Sequence, residues 1–313
     1  MGMTSKNVFA EFEEYEASIA DVDIRMTLFG QQRRRWEHTY VQAGELHVQG
    51  ATLGGGYIAE GSICQTGWAF YLNLSRIPEL ANGVELSNND VFVMPPGSEY
   101  SFSSLEAQDW IGVVIPSKAL LPLPEMEAFV ERAFAHVVAP ACAVTRRLSF
   151  MLRRFSASAI LEPGVADEEA CVKSFAEETI HLARQIIGVA ETVAPDARLM
   201  KRHALCKRAM ELIENCPDMD LTIGEVATTL DVSVRGLQLA FAKHYGISPQ
   251  QYLNQRRLAR ARQVLLHAEP GETTVRATAA KVGLWDFGRF AANYRGLFDE
   301  LPSETLARQR RLM

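Results

Sequence analysis

Between Thr222 and Leu306 the chain carries one pattern twice, so two copies of one local fold are required. Ala227 matches Ala279, Leu230 matches Val282 and Asp231 matches Gly283, each 52 positions apart. Leu237 matches Phe290, Phe241 matches Tyr294, Tyr245 matches Phe298, Pro249 matches Pro302 and Leu253 matches Leu306, each 53 apart. The extra residue falls in the turn. Each copy opens with a short amphipathic helix carrying a small alanine (Ala227, Ala279) where a second helix must cross closely. The break comes at Asp231 or Gly283, residue types that tolerate a left-handed backbone. Ser233 and Asp286 then offer side-chain oxygens as N-caps. The helix that follows presents an apolar stripe at i, i+4 and i+8: Leu237, Phe241 and Tyr245, then Phe290, Tyr294 and Phe298. Helix, tight turn and crossing helix make a helix-turn-helix, and this chain has two.

The face left over by each second helix carries residues that read or grip DNA. In the first copy these are Arg235, Gln238, Leu239 and Lys243, with Ser233 at the start; in the second they are Phe287, Arg289, Asn293 and Arg295. Arginine suits guanine and glutamine suits adenine in the major groove, which favours Arg235, Gln238 and Arg289 as base readers. Asn293 and Arg295 suit backbone phosphates, and Leu239 and Phe287 suit thymine methyls. Ser248 and Pro249 open a further helix reaching about His267, with proline at its favoured first position. A stiff helix there would hold two recognition helices at a fixed spacing, and half-sites one turn apart lie about 34 Å from each other. Arg256, Arg257 and Arg260 on that helix face either solvent or phosphate.

Over roughly its last third, the chain resembles the C-terminal DNA-binding domain of the AraC/XylS transcriptional regulators. Besides the double module, the likeness includes the connector Arg257-Leu-Ala-Arg-Ala-Arg-Gln-Val-Leu-Leu266 and the ending Phe298-Asp-Glu-Leu-Pro-Ser303. Leu239 departs from the family, where a basic residue is common, and so does Thr278, where an aliphatic residue packs. Those departures bear on the DNA sequence read. The resemblance implies a cupin-like effector domain ahead of the DNA-binding domain, a small-molecule effector, a homodimer, and RNA polymerase as partner. Trp285-Asp-Phe-Gly-Arg-Phe290 with Leu301-Pro-Ser-Glu-Thr-Leu306 is similar to a subset that includes amine-utilisation regulators, which implies a small amine or its oxidation product as effector.

A chain of 313 residues with 48% hydrophobic content should form two domains. We place them at residues 1–194 (effector binding and dimerisation) and 199–313 (DNA binding), with Ala194-Pro195-Asp196-Ala197 as linker. The net charge of −6 hides an asymmetry: from Met200 onward there are 17 Lys+Arg against 12 Asp+Glu, leaving 15 against 26 before it. A basic module on an acidic partner domain suits a protein whose C-terminal part meets phosphate. The excess is small, so affinity should lean on dimerisation or tandem contacts. The five cysteines (Cys64, Cys142, Cys171, Cys206, Cys216) form no C-x-x-C pair. They read as buried small apolar residues of a reduced, cytoplasmic protein, with a thiol sensor as the alternative. Residues 1–29 hold no apolar run long enough for a leader or a membrane span.

The N-terminal half alternates short apolar runs with Gly, Pro and Asn turns: Leu46–Val48, Trp68–Leu74, Val91–Met94 and Trp110–Ile115. That spacing indicates a small antiparallel barrel or a double-sheet jelly roll. Asn89–Tyr100 is similar to the second half-motif of a cupin, but Tyr100 stands where metal-binding cupins place histidine, and no H-x-H pair precedes it. No metal site, catalytic residue or other cofactor is therefore expected. Arg34, Trp36, Trp68, Tyr71 and Tyr100 are the candidate effector contacts, with core filling by the aromatics as the alternative. Arg33 to Arg35 beside Trp36 could clamp a carboxylate. Helices are expected at Met126–Val138, Ala143–Ser158 and Asp167–Val193. The last carries a stripe of Val172, Phe175, Thr179, Leu182, Ile186 and Val189 that either dimerises or packs on its own barrel.

The fold expected is α+β: a cupin-like antiparallel β-barrel with a helical hairpin, then an all-α domain with two helix-turn-helix modules. The function expected is that of a ligand-responsive, sequence-specific DNA-binding regulator, an activator, and not an enzyme. A metal-independent cupin-like enzyme and a regulator answering to redox state or a protein partner are the alternatives.

Overall fold

The computed structural model describes residues 3–18, 23–30, 34–120, 137–162, 164–189, 197–216, 221–269 and 271–309. The chain divides into two compact units, Met1–Met26 with Arg33–Met200 and Thr27–Gln32 with Lys201–Met313. Residues 194–196 of the expected linker lie outside the described residues, and Ala197 already opens a helix.

The first unit is built on two antiparallel sheets. One has seven strands in the order β1 (Thr4–Phe9), β3 (Trp36–Ala43), β4 (Leu46–Thr52), β11 (Asp109–Pro116), β6 (Gly67–Asn73), β9 (Val91–Met94) and β12 (Val137–Ala139). The other has five, in the order β2 (Asp23–Phe29), β5 (Gly56–Ser62), β10 (Glu99–Ser104), β7 (Glu79–Ala81) and β8 (Val84–Leu86). The antiparallel α+β class stands, but the strands form a two-sheet sandwich rather than a closed barrel. One sheet ends at β1 and β12 and the other at β2 and β8, and among the described residues no strand of one is paired with a strand of the other. Short helices α1 (Phe12–Ser18) and α2 (Ser117–Leu120) complete the strand region.

Strand β6, Gly-Trp-Ala-Phe-Tyr-Leu-Asn, is buried along its whole length. Strand alternation sends Trp68, Phe70 and Leu72 to one face, where they join a core with the helical hairpin, and Ala69 and Tyr71 to the other. The hairpin is α3 (Ala143–Leu161) and α4 (Glu169–Val189), whose Phe155 and Phe175 rings stack at 3.8 Å and 12°. Leu148 and Leu152 of α3 and Leu182 and Ile186 of α4 share that core with Val41, Val48 and Val113. The stripe on α4 therefore packs on its own sheet, which decides between the two readings it allowed. Thr179 fits this apolar stripe because its hydroxyl donates to the Phe175 carbonyl at 2.7 Å. Of the helix expected at Met126–Val138, residues 126–136 lie outside the described residues. Val137–Ala139 is strand β12, paired antiparallel with β9 through Val137–Val93 and Ala139–Val91, a pairing that suits β-branched residues. The cysteines also differ from expectation: Cys206 is buried, Cys64 is exposed, and Cys142, Cys171 and Cys216 are intermediate. Among the described residues no helix is long and apolar enough to cross a membrane.

The second unit is helical: α5 (Ala197–Glu214), α6 (Ile223–Thr229), α7 (Val234–Tyr245), α8 (Pro249–His267), α9 (Val275–Lys281), α10 (Phe287–Phe298) and α11 (Pro302–Gln309). The repeat is visible as α6-turn-α7 and α9-turn-α10. Thr222 and Glu225 form a reciprocal capping box at the head of α6, and the Thr274 hydroxyl caps α9. Both turns pass through the left-handed region, at Asp231 with φ 53° and Gly283 with φ 73°. Ser233 and Asp286 accept the backbone N–H groups of Gly236 and Arg289, each at 3.0 Å. Ser248 and Gln251 form a second capping box where Pro249 begins α8. We expect Asp286→Ala to cost about 1 kcal/mol and Asp286→Asn only a few tenths. Thermal unfolding checks this, and an alanine variant as stable as the native chain would remove the cap from the account.

The crossing alanines are buried, as are Leu237, Phe241 and Tyr245 in the first module and Phe290 and Tyr294 in the second. The second stripe departs at its end. Leu297 is buried and Phe298 only half-buried, because at 3.6 residues per turn the i+7 position points inward as well as i+8. Thr278, where an aliphatic residue was expected to pack, is 1% exposed, and its hydroxyl meets that of Thr273 at 3.2 Å. A buried hydroxyl with a partner avoids the desolvation cost that would otherwise disfavour threonine there.

Candidate nucleic-acid interface and effector cavity

Caps and stripes fix which way each second helix faces. With its apolar stripe inward, α7 leaves Arg235, Gln238, Leu239 and Lys243 exposed, Leu239 at 56%. Ser233 is exposed at the head of α7, its oxygen already accepting from Gly236. On α10, Arg289, Asn293 and Arg295 are exposed, while Phe287 is half-buried under the Arg276 guanidinium, 4.9 Å from its ring centroid. The nine residues thus fall on the outer faces of two equivalent helices, each projecting cations. Between the modules α8 runs 19 residues, a length of about 28 Å for a regular helix. Its arginines divide: Arg257 donates to the Leu221 carbonyl at 3.2 Å, Arg256 lies 3.7 Å from the Glu214 carboxylate, and Arg260 is exposed. Arg257 and Arg256 are therefore engaged within the helical unit.

Between its two sheets the sandwich holds a partly open cavity of about 110 Å³. Tyr71 and Trp110 line it from the seven-stranded sheet, Tyr57, Tyr100 and Phe102 from the other. The Tyr71 ring stacks on Phe102 at 4.2 Å and on Trp110 at 5.3 Å. Two polar side chains reach the cavity from β4: His47 meets the Tyr40 hydroxyl at 3.2 Å, and Gln49 meets His38 at 3.4 Å. Burial holds the His38 imidazole below its ordinary range, so it is neutral. Behind the aromatic wall lies Glu79, 2% exposed, which accepts from the Tyr57 hydroxyl at 2.5 Å and the Tyr71 hydroxyl at 2.8 Å. Burial pushes its carboxyl up to about 7, against the pull of those two hydrogen bonds. Burial first, and then the Glu79 charge, push both tyrosines well above their usual range, so they stay protonated donors.

Of the five sequence-derived effector contacts, the structure brings Tyr71 and Tyr100 together in this cavity and places the other three elsewhere. Arg34 forms a two-point ion pair with Asp109, at 3.0 and 3.2 Å, and donates to the Leu53 carbonyl at 3.2 Å. Its donors are engaged at the sandwich surface. Trp36 is fully buried against Phe12 and Tyr15 of α1, with centroids 5.2 and 5.1 Å away. Trp68 belongs to the core beneath the hairpin.

A family model described as a helix-turn-helix domain matches residues 226–308. Regulatory protein HrpB of Ralstonia nicotianae is 35% identical over 135 residues, 42% of this chain and 28% of its own length. XylDLEGF operon transcriptional activator 3 of Pseudomonas putida is 34% identical over 104 residues, 33% of this chain and 31% of its own. A solved structure described as a probable AraC family transcriptional regulator from Rhodopseudomonas palustris is 36% identical, and the likeness covers 34% of this chain and 97% of that one, with a TM-score of 0.32. Residues 226–308 are thus a helix-turn-helix domain of the kind found in AraC/XylS transcriptional regulators. The chain spans less than a third of the length of the two curated relatives named, 28% and 31%.

In the N-terminal unit, sequence reasoning missed Glu79, Tyr57 and Phe102. The signal for Glu79 was the triplet Glu79-Leu-Ala81 before the Asn82-Gly83 turn: strand alternation puts Glu79 and Ala81 on one face, and Ala81 is buried. Trp285, which entered the sequence analysis only as part of a motif, was given no contact role. It stands 72% exposed immediately before the Asp286 cap.

Proposed function

We propose that this chain is a ligand-responsive transcriptional regulator, an activator that reads two tandem major-groove half-sites through α7 and α10. One observation carries the reading: two capped recognition helices, joined by one 19-residue helix, each turn an exposed arginine outward, Arg235 and Arg289. In this reading residues 199–313 bind double-stranded DNA, while residues 1–194 bind the effector between the sheets and dimerise. RNA polymerase is the protein partner of the activator. The excess of 17 cations over 12 anions from Met200 onward is small, which supports a need for tandem contacts and a dimer.

Arg235→Ala and Arg289→Ala should each weaken specific binding by about 1–3 kcal/mol and relax base preference at one half-site only. Lys243→Ala should instead weaken binding to all sequences alike and flatten the salt dependence. Operator fragments selected from random DNA and titrated in gel-shift assays give the readout. Unchanged affinity in both arginine variants would overturn the interface.

A further inference from the structure

The cavity between the sheets has a chemistry more specific than its place in the fold. We infer that it takes an uncharged, benzene-sized molecule carrying one hydrogen-bond donor, an aromatic alcohol being the type; this rests on reading the cavity as the effector site. Size is the first argument. The volume is about 110 Å³, of the same order as the roughly 150 Å³ of an apolar protein cavity that takes one benzene ring, and this cavity is partly open, so a short substituent can reach out of it. A single ring with a short substituent fits where a bicyclic or long-chain molecule does not.

Charge is the second. The lining is almost wholly apolar, and no lysine or arginine belongs to it among the described residues. An entering carboxylate would lose its hydration, and the polar side chains that reach the cavity, His47 and Gln49, are already held by Tyr40 and His38. It would also approach the buried Glu79, one hydroxyl behind the wall. Arg34, the cation that sequence placed here, pairs with Asp109 instead. An ammonium ion fares better near Glu79 but still gives up its hydration to a wall in which no carboxylate stands. An uncharged ligand meets neither cost.

Polarity of the hydrogen bond is the third. The Tyr57 and Tyr71 hydroxyls both direct their hydrogens to Glu79. With Glu79 ionised, above about pH 7, the carboxylate takes up both hydrogens, so toward a ligand these two hydroxyls can accept but not donate. The partner that satisfies them is a donor. The stacked faces of Tyr71, Phe102 and Trp110 supply flat walls for the ring that carries it.

The test is titration calorimetry on the full chain at pH 8, where Glu79 is ionised, with four probes of nearly equal size: benzyl alcohol, ethylbenzene, benzoate and benzylammonium. Benzyl alcohol should bind several-fold tighter than ethylbenzene, and neither ion should bind within tenfold of the alcohol. Tyr71→Phe should erase the alcohol's advantage and leave ethylbenzene unchanged, since the ring stays and only the acceptor goes. Ala69→Phe, which fills the cavity from β6, should abolish binding of all four. Benzoate or benzylammonium binding as tightly as the alcohol would overturn this inference and leave the cavity as the effector site. No binding of any probe, or binding that survives Ala69→Phe with the fold intact by circular dichroism, would overturn both.

Discussion

Arg262→Ala is expected to destabilise the helical unit by about 3–5 kcal/mol, because it strands a carboxylate inside the second module. Arg262 lies on α8 and is 2% exposed. Its guanidinium is ion-paired with Glu300, whose side chain is 11% exposed, and sits over the Phe298 ring 4.6 Å from the centroid. Glu300 Oε1 also accepts from the Thr305 hydroxyl at 2.8 Å, and Thr305 meets the Tyr294 hydroxyl at 2.9 Å. One ion pair thus ties the connector helix to the end of α10 and the start of α11. The contrast is Lys118 and Glu45, whose side chains are 70% and 64% exposed; breaking such a surface pair costs at most about 1 kcal/mol. The Arg262 effect comes from the abandoned charge rather than from the strength of the pair. Replacing both partners, Arg262→Met with Glu300→Leu, should therefore recover most of the loss. Urea unfolding measures the stability, and footprinting of an operator gives a second readout in which the half-site under α10 should fade before that under α7. An Arg262→Ala variant within 1 kcal/mol of the native chain would show that Glu300 finds water or another donor.

What the sequence made legible follows from how far apart the interacting residues lie. The helix-turn-helix modules are local: cap, left-handed turn and apolar stripe all fall within about two dozen residues, and each has a residue-type signature. Ser233, Asp286 and Ser248 cap the helices they were expected to cap, and Asp231 and Gly283 have the positive φ their types suggested. The cavity is non-local. Glu79, Tyr57 and Tyr71 come from three strands in two sheets and meet only through register that no short motif encodes. The run Arg33–Trp36 misled for a related reason. A cluster of guanidiniums beside an indole has the composition of an anion clamp, yet β3 starts only at Trp36, which packs beneath α1, while Arg34 lies ahead of the strand and is held at the surface by Asp109. Residue types marked the chemistry available, and long-range partners, α1 for Trp36 and Asp109 for Arg34, decided where each side chain went. The α4 stripe shows the same limit. Spacing revealed the apolar face of Phe175, Leu182 and Ile186, but only the packing core shows that the chain's own sheet covers it.

Glu79 should make the sandwich lose stability as pH rises, the reverse of what a salt-bridged carboxylate does. Its folded pKa is raised from 4.5 to about 7, chiefly by burial. Below pH 4.5 the carboxyl is protonated in both folded and unfolded chains, and it contributes no pH dependence. Between 4.5 and 7 the unfolded chain releases the proton while the folded chain keeps it, so each pH unit favours unfolding by about 1.4 kcal/mol. Above 7 both states are ionised and the cost levels off at about 3 kcal/mol. Tyr57 and Tyr71, the groups that hold the carboxyl from β5 and β6, stay protonated throughout because burial and Glu79 both raise them. They cannot offset the change. Glu79→Gln keeps the shape and cannot ionise, so its stability relative to the native chain should improve by about 3 kcal/mol between pH 5 and pH 8. Other groups titrate in that window, His38 among them with its lowered pKa, but they are common to both chains and cancel in the difference. Urea unfolding of both proteins across the window gives that difference. Parallel pH profiles would mean that Glu79 is already ionised at pH 5, and that the cavity wall is backed by a fixed negative charge rather than by a shared proton.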